Sequence, residues 1–228
     1  MFVQIINGKV KDAEEVRRQD ERWRTEVMPG AKGFLGSTVG VTDDNRFIAF
    51  VRFSDEAAAR ANSDRAEQSA WWSEFEKCLD GTPTFRESND VALLFDGGSD
   101  KAGFVQVMEG SVADRAKAEA FETPEMLDEL RKARPDLMGS IRAWFADDTF
   151  VDVAYFTSEA DARKGEKSEE FSGPSDQYMA LFGDMAFLDL RDPILVSPQT
   201  RTPGTGAGIP LPAGKFDAGS PGEYELVP

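Results

Sequence analysis

The chain contains itself twice. No other feature restricts its fold as much, because the shared fold has to suit two diverged sequences. Phe2-Val3-Gln4 returns as Phe104-Val105-Gln106, and Gly8, Val10 and Asp12 return as Gly110, Val112 and Asp114, all at an offset of 102. From 33–60 against 136–163 the offset is 103 without a gap. Over those 28 positions nine residues are identical: Gly36, Ser37, Asp44, Phe47, Phe53, Glu56, Ala57, Ala59 and Arg60.

Each copy reads as strand, helix, strand, strand, helix, strand. Phe2–Ile6 is a short β-branched run. Asp12 offers an N-cap with Glu15 three residues on, and the helix carries Val16, Trp23 and Val27 on one face until Pro29-Gly30 stops it. Phe34–Thr42 and Phe47–Phe53 read as strands around the turn cluster Asp43-Asp44-Asn45. Ser54 is expected to cap a second helix, Ser63-Asp64 to interrupt it, and Val91–Phe95 to close the copy as a strand. The second copy repeats this with Phe104–Met108, a helix from Asp114 restarted at Thr123-Pro124, strands Ser140–Phe145 and Phe150–Phe156, a helix after Thr157, and a last strand at about Met185–Leu190. The expected domains are 1–97 and 103–195, with Gly97-Gly98-Ser99-Asp100 as linker. Residues 197–228 hold six of the 12 prolines and six of the 20 glycines, so 196–228 reads as a disordered tail. A second reading makes it a docking segment for a protein partner, gripped at Phe216 and Tyr224-Glu225-Leu226-Val227.

Composition narrows the chemistry. The formal net charge of −16 repels nucleic acid and anionic membrane surfaces and argues against both as partners. The absence of histidine removes the commonest general base and metal ligand, and with them Ser-His-Asp sites and histidine-ligated haem. Cys78, the single cysteine, follows Trp71, Trp72 and Phe75 at helical spacing and reads as a small core residue. The start is too soon polar for a signal peptide and no apolar run has the length of a membrane span, so the expected compartment is the cytoplasm. There is no metal-ligand spacing, phosphate loop or dinucleotide fingerprint, and no metal or cofactor is expected.

The run Pro29-Gly30, Gly33-Phe34-Leu35-Gly36-Ser37, Phe47-Ile48-Ala49-Phe50-Val51-Arg52-Phe53 and Ser54-Asp55-Glu56-Ala57 resembles the antibiotic biosynthesis monooxygenase family. The second copy keeps Gly139-Ser140 and Thr157-Ser158-Glu159-Ala160 but has Arg134-Pro135-Asp136 in place of Pro29-Gly30. The resemblance covers about 2–95 well and 104–190 more loosely. It implies an α+β fold of two ferredoxin-like βαββαβ domains, paired within one chain as a dimeric α+β barrel, with further homo-oligomers open. It implies a range of activities, among them oxygenation of polycyclic aromatics without metal or flavin.

Six residues are candidate site groups. Trp23, Trp71 and Trp72 either fill the core or wall a flat aromatic ligand; adjacent Trp71 and Trp72 cannot share one helix face. Asn7 and Asn62 sit at element ends, where asparagine satisfies local backbone or orients a substrate carbonyl or dioxygen; the resemblance favours a pocket role for Asn7. Arg52, on a face with Ile48 and Phe50, either binds an anionic ligand or enolate or reaches solvent. Arg65 reads as a surface residue paired with a local carboxylate, and Asp12–Arg24 as a solvated helix face. Any pocket is expected in the first copy, which holds three of the four tryptophans. The functional expectation is a cofactor-independent monooxygenase acting on a small aromatic or polyketide-like molecule. The alternative is a non-catalytic small-molecule or protein-binding module with a docking tail.

Overall fold

The computed structural model describes residues 1–95, 97–167 and 176–197. The docking segment and nearly all of the expected tail lie outside them. Along the chain the elements are β1 (Phe2–Lys9), α1 (Ala13–Arg22), β2 (Phe34–Val41), β3 (Arg46–Phe53), α2 (Glu56–Ser63), α3 (Ala66–Phe75), β4 (Thr84–Ser88), β5 (Val91–Phe95), β6 (Phe104–Ser111), α4 (Arg115–Phe121), α5 (Pro124–Ala133), β7 (Leu137–Trp144), β8 (Thr149–Phe156), α6 (Glu159–Glu166), α7 (Asp176–Met179), β9 (Ala186–Leu190) and β10 (Ile194–Val196). They form two compact units: Met1–Asn89 with the segment that begins at Asp192, and Asp90–Arg191.

Each unit carries one antiparallel five-stranded sheet, in the orders β10-β2-β3-β1-β4 and β5-β7-β8-β6-β9. The central pairs run in register from Phe2 opposite Phe53 to Lys9 opposite Arg46, and from Phe104 opposite Phe156 to Ser111 opposite Thr149. The expected βαββαβ order therefore holds in both copies, but the strand that closes the first copy differs. Thr84–Ser88, not Val91–Phe95, pairs with β1, with Val3 opposite Ser88 and Asn7 opposite Thr84. Val91–Phe95 joins the second unit's sheet against β7. The second copy does the same in reverse: β10 pairs with β2 of the first sheet. The offset of 103 places Ile194–Val196 on Val91–Leu93, so each copy ends in a strand that belongs to the other unit's sheet. Both β4 and β5 end their sheets; β5 is fully apolar, Val-Ala-Leu-Leu-Phe, whereas β4 has Arg and Glu among its five residues.

Capping follows the sequence closely. Asp12 accepts from the backbone of Glu14 and Glu15, Asp114 from Lys117, and Thr123 caps α5 with Pro124 in the first turn. The cap of α2 is Asp55, one residue after the expected Ser54; Asp55 accepts from the Ala58 amide at 2.8 Å and Ser54 donates to Asp55. Ser158 likewise caps α6.

The core of the first unit is split. One cluster gathers Phe2, Trp23, Val27, Phe34, Phe53 and Val196; the other gathers Val10, Val16, Val39, Phe47, Phe75 and Leu79; Trp71 packs against both. Cys78 lies in the second cluster, and burial raises its thiol pKa, as a core role requires.

Candidate functional site

The space between the two clusters is a cavity of about 390 Å³ in the first unit, within the range of small-molecule sites. Its floor is one face of the sheet: Gln4 and Ile6 of β1, Ser37 and Val39 of β2, and Phe47, Ala49, Val51 and Phe53 of β3. These are alternate residues, as the pleat dictates. Its walls come from α1, α2 and α3.

Four of the six candidate residues border it: Trp23, Asn62, Trp71 and Trp72. Trp23 lies where α1 opens into a wider π turn, Trp23–Val27, in which the Met28 amide bonds to the Trp23 carbonyl. Such turns recur at functional sites. Trp23 meets Phe34 edge to face at 5.0 Å and Trp71 at 6.4 Å. Trp71 stacks on Phe75 at 5.0 Å and donates Nε1–H to the Gln19 carbonyl at 2.7 Å. Trp72 donates to Glu76 at 2.6 Å and tilts against Phe85 of β4, which is 54% exposed and lines the same cavity. Trp71 and Trp72 thus both reach the cavity, although consecutive on one helix.

Asn7 and Arg52 are not brought to it. Cross-strand neighbours share a face, so Asn7 sides with Ile48, and Arg52 with Val3, on the face opposite the cavity. Arg52 lies across Gly36, whose φ is +144°; a Cβ there would collide with the guanidinium and with the Val196 carbonyl. Arg65 pairs with a local carboxylate as expected, Glu67 at 3.8 Å, but is less exposed than a surface residue. Partly buried, it donates Nη1–H to the Val27 carbonyl and to Asn62 Oδ1, each at 3.0 Å.

The main residue missed in the sequence is Asp20. The segment read as a solvated helix face turns it inward: it is 7% exposed and lines the cavity. Val16, Asp20, Trp23 and Val27 recur at spacings of four, three and four, so Asp20 sits on the apolar stripe, and that spacing was the available signal. Burial pushes its carboxyl up to about 6; Arg24, whose Nε donates to Oδ2 at 2.9 Å, opposes the shift without cancelling it. Gln68 was also overlooked. Its Oε1 accepts from Trp23 Nε1 at 2.9 Å and from Asn62 Nδ2 at 3.2 Å.

The second unit treats the same positions differently. The repeat offsets place Arg142 where the first copy has Val39, Asp152 where it has Ala49, and Glu122 where it has Asp20. Arg142 donates Nε–H to Asp152 at 2.9 Å and Nη1–H to Glu122 at 2.6 Å, and Tyr178 donates to Glu122 at 2.8 Å. Ser140 donates to the other Asp152 oxygen. Burial works against the Arg142 charge, but Asp152 and Glu122 outweigh it and hold the guanidinium above the usual arginine range. Trp144 and Phe150 flank it at 5.4 and 5.7 Å. Where the first unit has Val39 and Ala49 on its cavity floor, the second has a bonded ionic group of Arg142, Asp152 and Glu122.

Among the described residues, no group of three or more Cys, Asp or Glu side chains is placed to hold a metal ion, and no helix is long and apolar enough to cross a membrane. The fold is that of a tandem α+β protein with two antiparallel sheets. No protein-family model matches the sequence, and no curated protein matches it. Solved structures do. A candidate monooxygenase from Fusobacterium nucleatum superposes with a TM-score of 0.66 over 86% of this chain and 94% of its own, at 10% identity. An anthrone oxidase-like protein gives 0.59 over 86% and 92%, at 10% identity. A candidate monooxygenase from Lactobacillus acidophilus gives 0.56 over 86% and 99%, at 12% identity. The likeness spans both units and is one of fold.

Proposed function

We propose that the first unit is a cofactor-independent, monooxygenase-like site for a flat aromatic or polyketide-like molecule, working in the cytoplasm, and that the second unit has no such site. The observation that carries this is a buried carboxyl, Asp20, with its pKa raised to about 6, in the wall of a cavity lined by three tryptophans. A base with that pKa is half ionised near pH 6 and still basic enough to take a proton from an acidic ring methylene. Trp23, Trp71 and Trp72 offer faces against which a planar ring stacks. Asp20 removes a proton from the ring CH₂ group, whose electron pair delocalises through the fused aromatic rings onto the ketone across the ring. The carbanion reduces dioxygen to a carbon-bound peroxide, which collapses to a ring carbonyl and water. The substrate supplies all four electrons, one oxygen atom enters it, and the other leaves as water with both hydrogens.

The test is oxygen uptake by purified protein given an anthrone, with the product followed as the quinone. Uptake of one O₂ per anthrone, abolished in Asp20→Asn, supports the reading; an unchanged anthrone in oxygenated buffer removes it. A binding module without turnover is the second reading, favoured by the Arg24 bond that already engages the Asp20 carboxylate. Saturable binding with no oxygen uptake would select it.

A further inference from the structure

The amides beside the cavity are ordered in one direction. Arg65 is held to the Val27 carbonyl and gives its second bond to Asn62 Oδ1, which leaves Asn62 to offer Nδ2 as donor. That donor goes to Gln68 Oε1, and the Trp23 indole N–H goes to the same atom. Both lone pairs of Gln68 Oε1 are therefore used. Turning the amide over would set an NH₂ group against two donors, so its orientation is fixed by Trp23 and Asn62. The other end, Nε2, carries two N–H donors. Among the described residues neither finds an acceptor. Gln68 lines the cavity, whose surroundings are chiefly aromatic and aliphatic.

We propose that Gln68 Nε2 is the hydrogen-bond donor that receives the ring oxygen of the ligand, so that the cavity selects oxygenated flat aromatics (ring ketones, quinones and phenols) over bare hydrocarbons of the same shape. The inference rests on the reading of the cavity as an aromatic site and adds what orients the ring within it. In the ground state the donor holds a carbonyl oxygen. In the proton abstraction proposed for Asp20 the same oxygen becomes an enolate, to which a hydrogen bond is stronger. Gln68 is thus both a specificity-determining and a positioning residue, held by Trp23 and Asn62.

The experiment compares two probes of matched shape, anthracene and 9,10-anthraquinone, by saturable change in tryptophan fluorescence. Gln68→Glu keeps acceptor oxygens for Trp23 and Asn62 but has no donor. It should leave the anthracene affinity near wild type and weaken anthraquinone about tenfold or more, the worth of one buried hydrogen bond. Gln68→Met, without donor or acceptor, provides an independent check should the added charge disturb folding, and it too should lose the quinone preference. If wild type binds both probes and its quinone-to-hydrocarbon ratio survives in either folded variant, the role of Gln68 is overturned while the aromatic cavity stands. If wild type saturates with neither probe, the aromatic reading falls and this inference falls with it.

Discussion

At the scale of single residues, Asp20 shows how position outweighs residue type. An aspartate with an ordinary pKa of 3.8 is raised to about 6 because the Val16–Val27 stripe carries it out of water. The sign of its effect on stability follows. A carboxyl with a raised folded pKa favours folding fully below its unfolded pKa of 3.8, and that contribution is lost as the pH rises through 6. Asp20→Asn should therefore gain stability on going from pH 4 to pH 8 relative to wild type, by at most about 3 kcal/mol at 1.36 kcal/mol per pKa unit. Urea unfolding at the two pH values measures it. The same substitution should lower turnover of an anthrone by about 10²-fold or more, and the wild-type rate should rise with pH through 6. Gly36 belongs to the same scale. With φ at +144°, and Arg52 and the Val196 carbonyl in the way of a Cβ, Gly36→Ala should destabilise the first unit by about 2 kcal/mol or more, read as a lower urea midpoint.

At the scale of elements, the three-residue strand β10 carries more than its length suggests. It covers the β2 edge through Ile194, Leu195 and Val196, and the buried Val196 side chain joins the cluster of Phe2, Trp23, Val27 and Phe34. A chain ending at Arg191 should lose about 2–5 kcal/mol of stability in the first unit, from the deleted apolar groups and the opened strand edge. A chain ending at Ser197 should keep it. Tryptophan fluorescence during urea unfolding distinguishes the two, because Trp23, Trp71 and Trp72 all lie in the first unit. The exchange of closing strands was legible in part. The last strand of the second copy, read at Met185–Leu190, maps by the repeat offset onto the Thr84–Ser88 region and not onto Val91–Phe95. The apolar run drew the assignment because a polar edge strand has a weak pattern.

At the scale of the whole molecule, duplication has produced two solutions to one packing problem. The first unit has Val39 and Ala49 on the floor of its cavity; at the matching positions the second has Arg142 and Asp152, joined to each other and to Glu122 by ionic hydrogen bonds. Arg142→Ala should cost about 3–5 kcal/mol, because it leaves the Asp152 and Glu122 carboxylates buried without their cation. Arg142→Val with Asp152→Ala, which copies the first unit, should cost clearly less than the sum of the single changes. A double-mutant cycle by urea unfolding gives the coupling. Ligand titration should reach one molecule per chain in the wild type.

The order of strands and helices in both copies and the caps at Asp12, Asp114 and Thr123 were contained in repeat spacing, periodicity and local hydrogen-bonding chemistry. These are properties of neighbours in the chain. Tertiary structure decided which sheet each closing strand joins, because pairing depends on which edge is open. It set Asn7 and Arg52 on the sheet face away from the cavity, because the pleat alternates sides at every residue and register settles the side. It buried Asp20 and raised its pKa, because desolvation depends on everything packed around a carboxyl and not on the carboxyl itself.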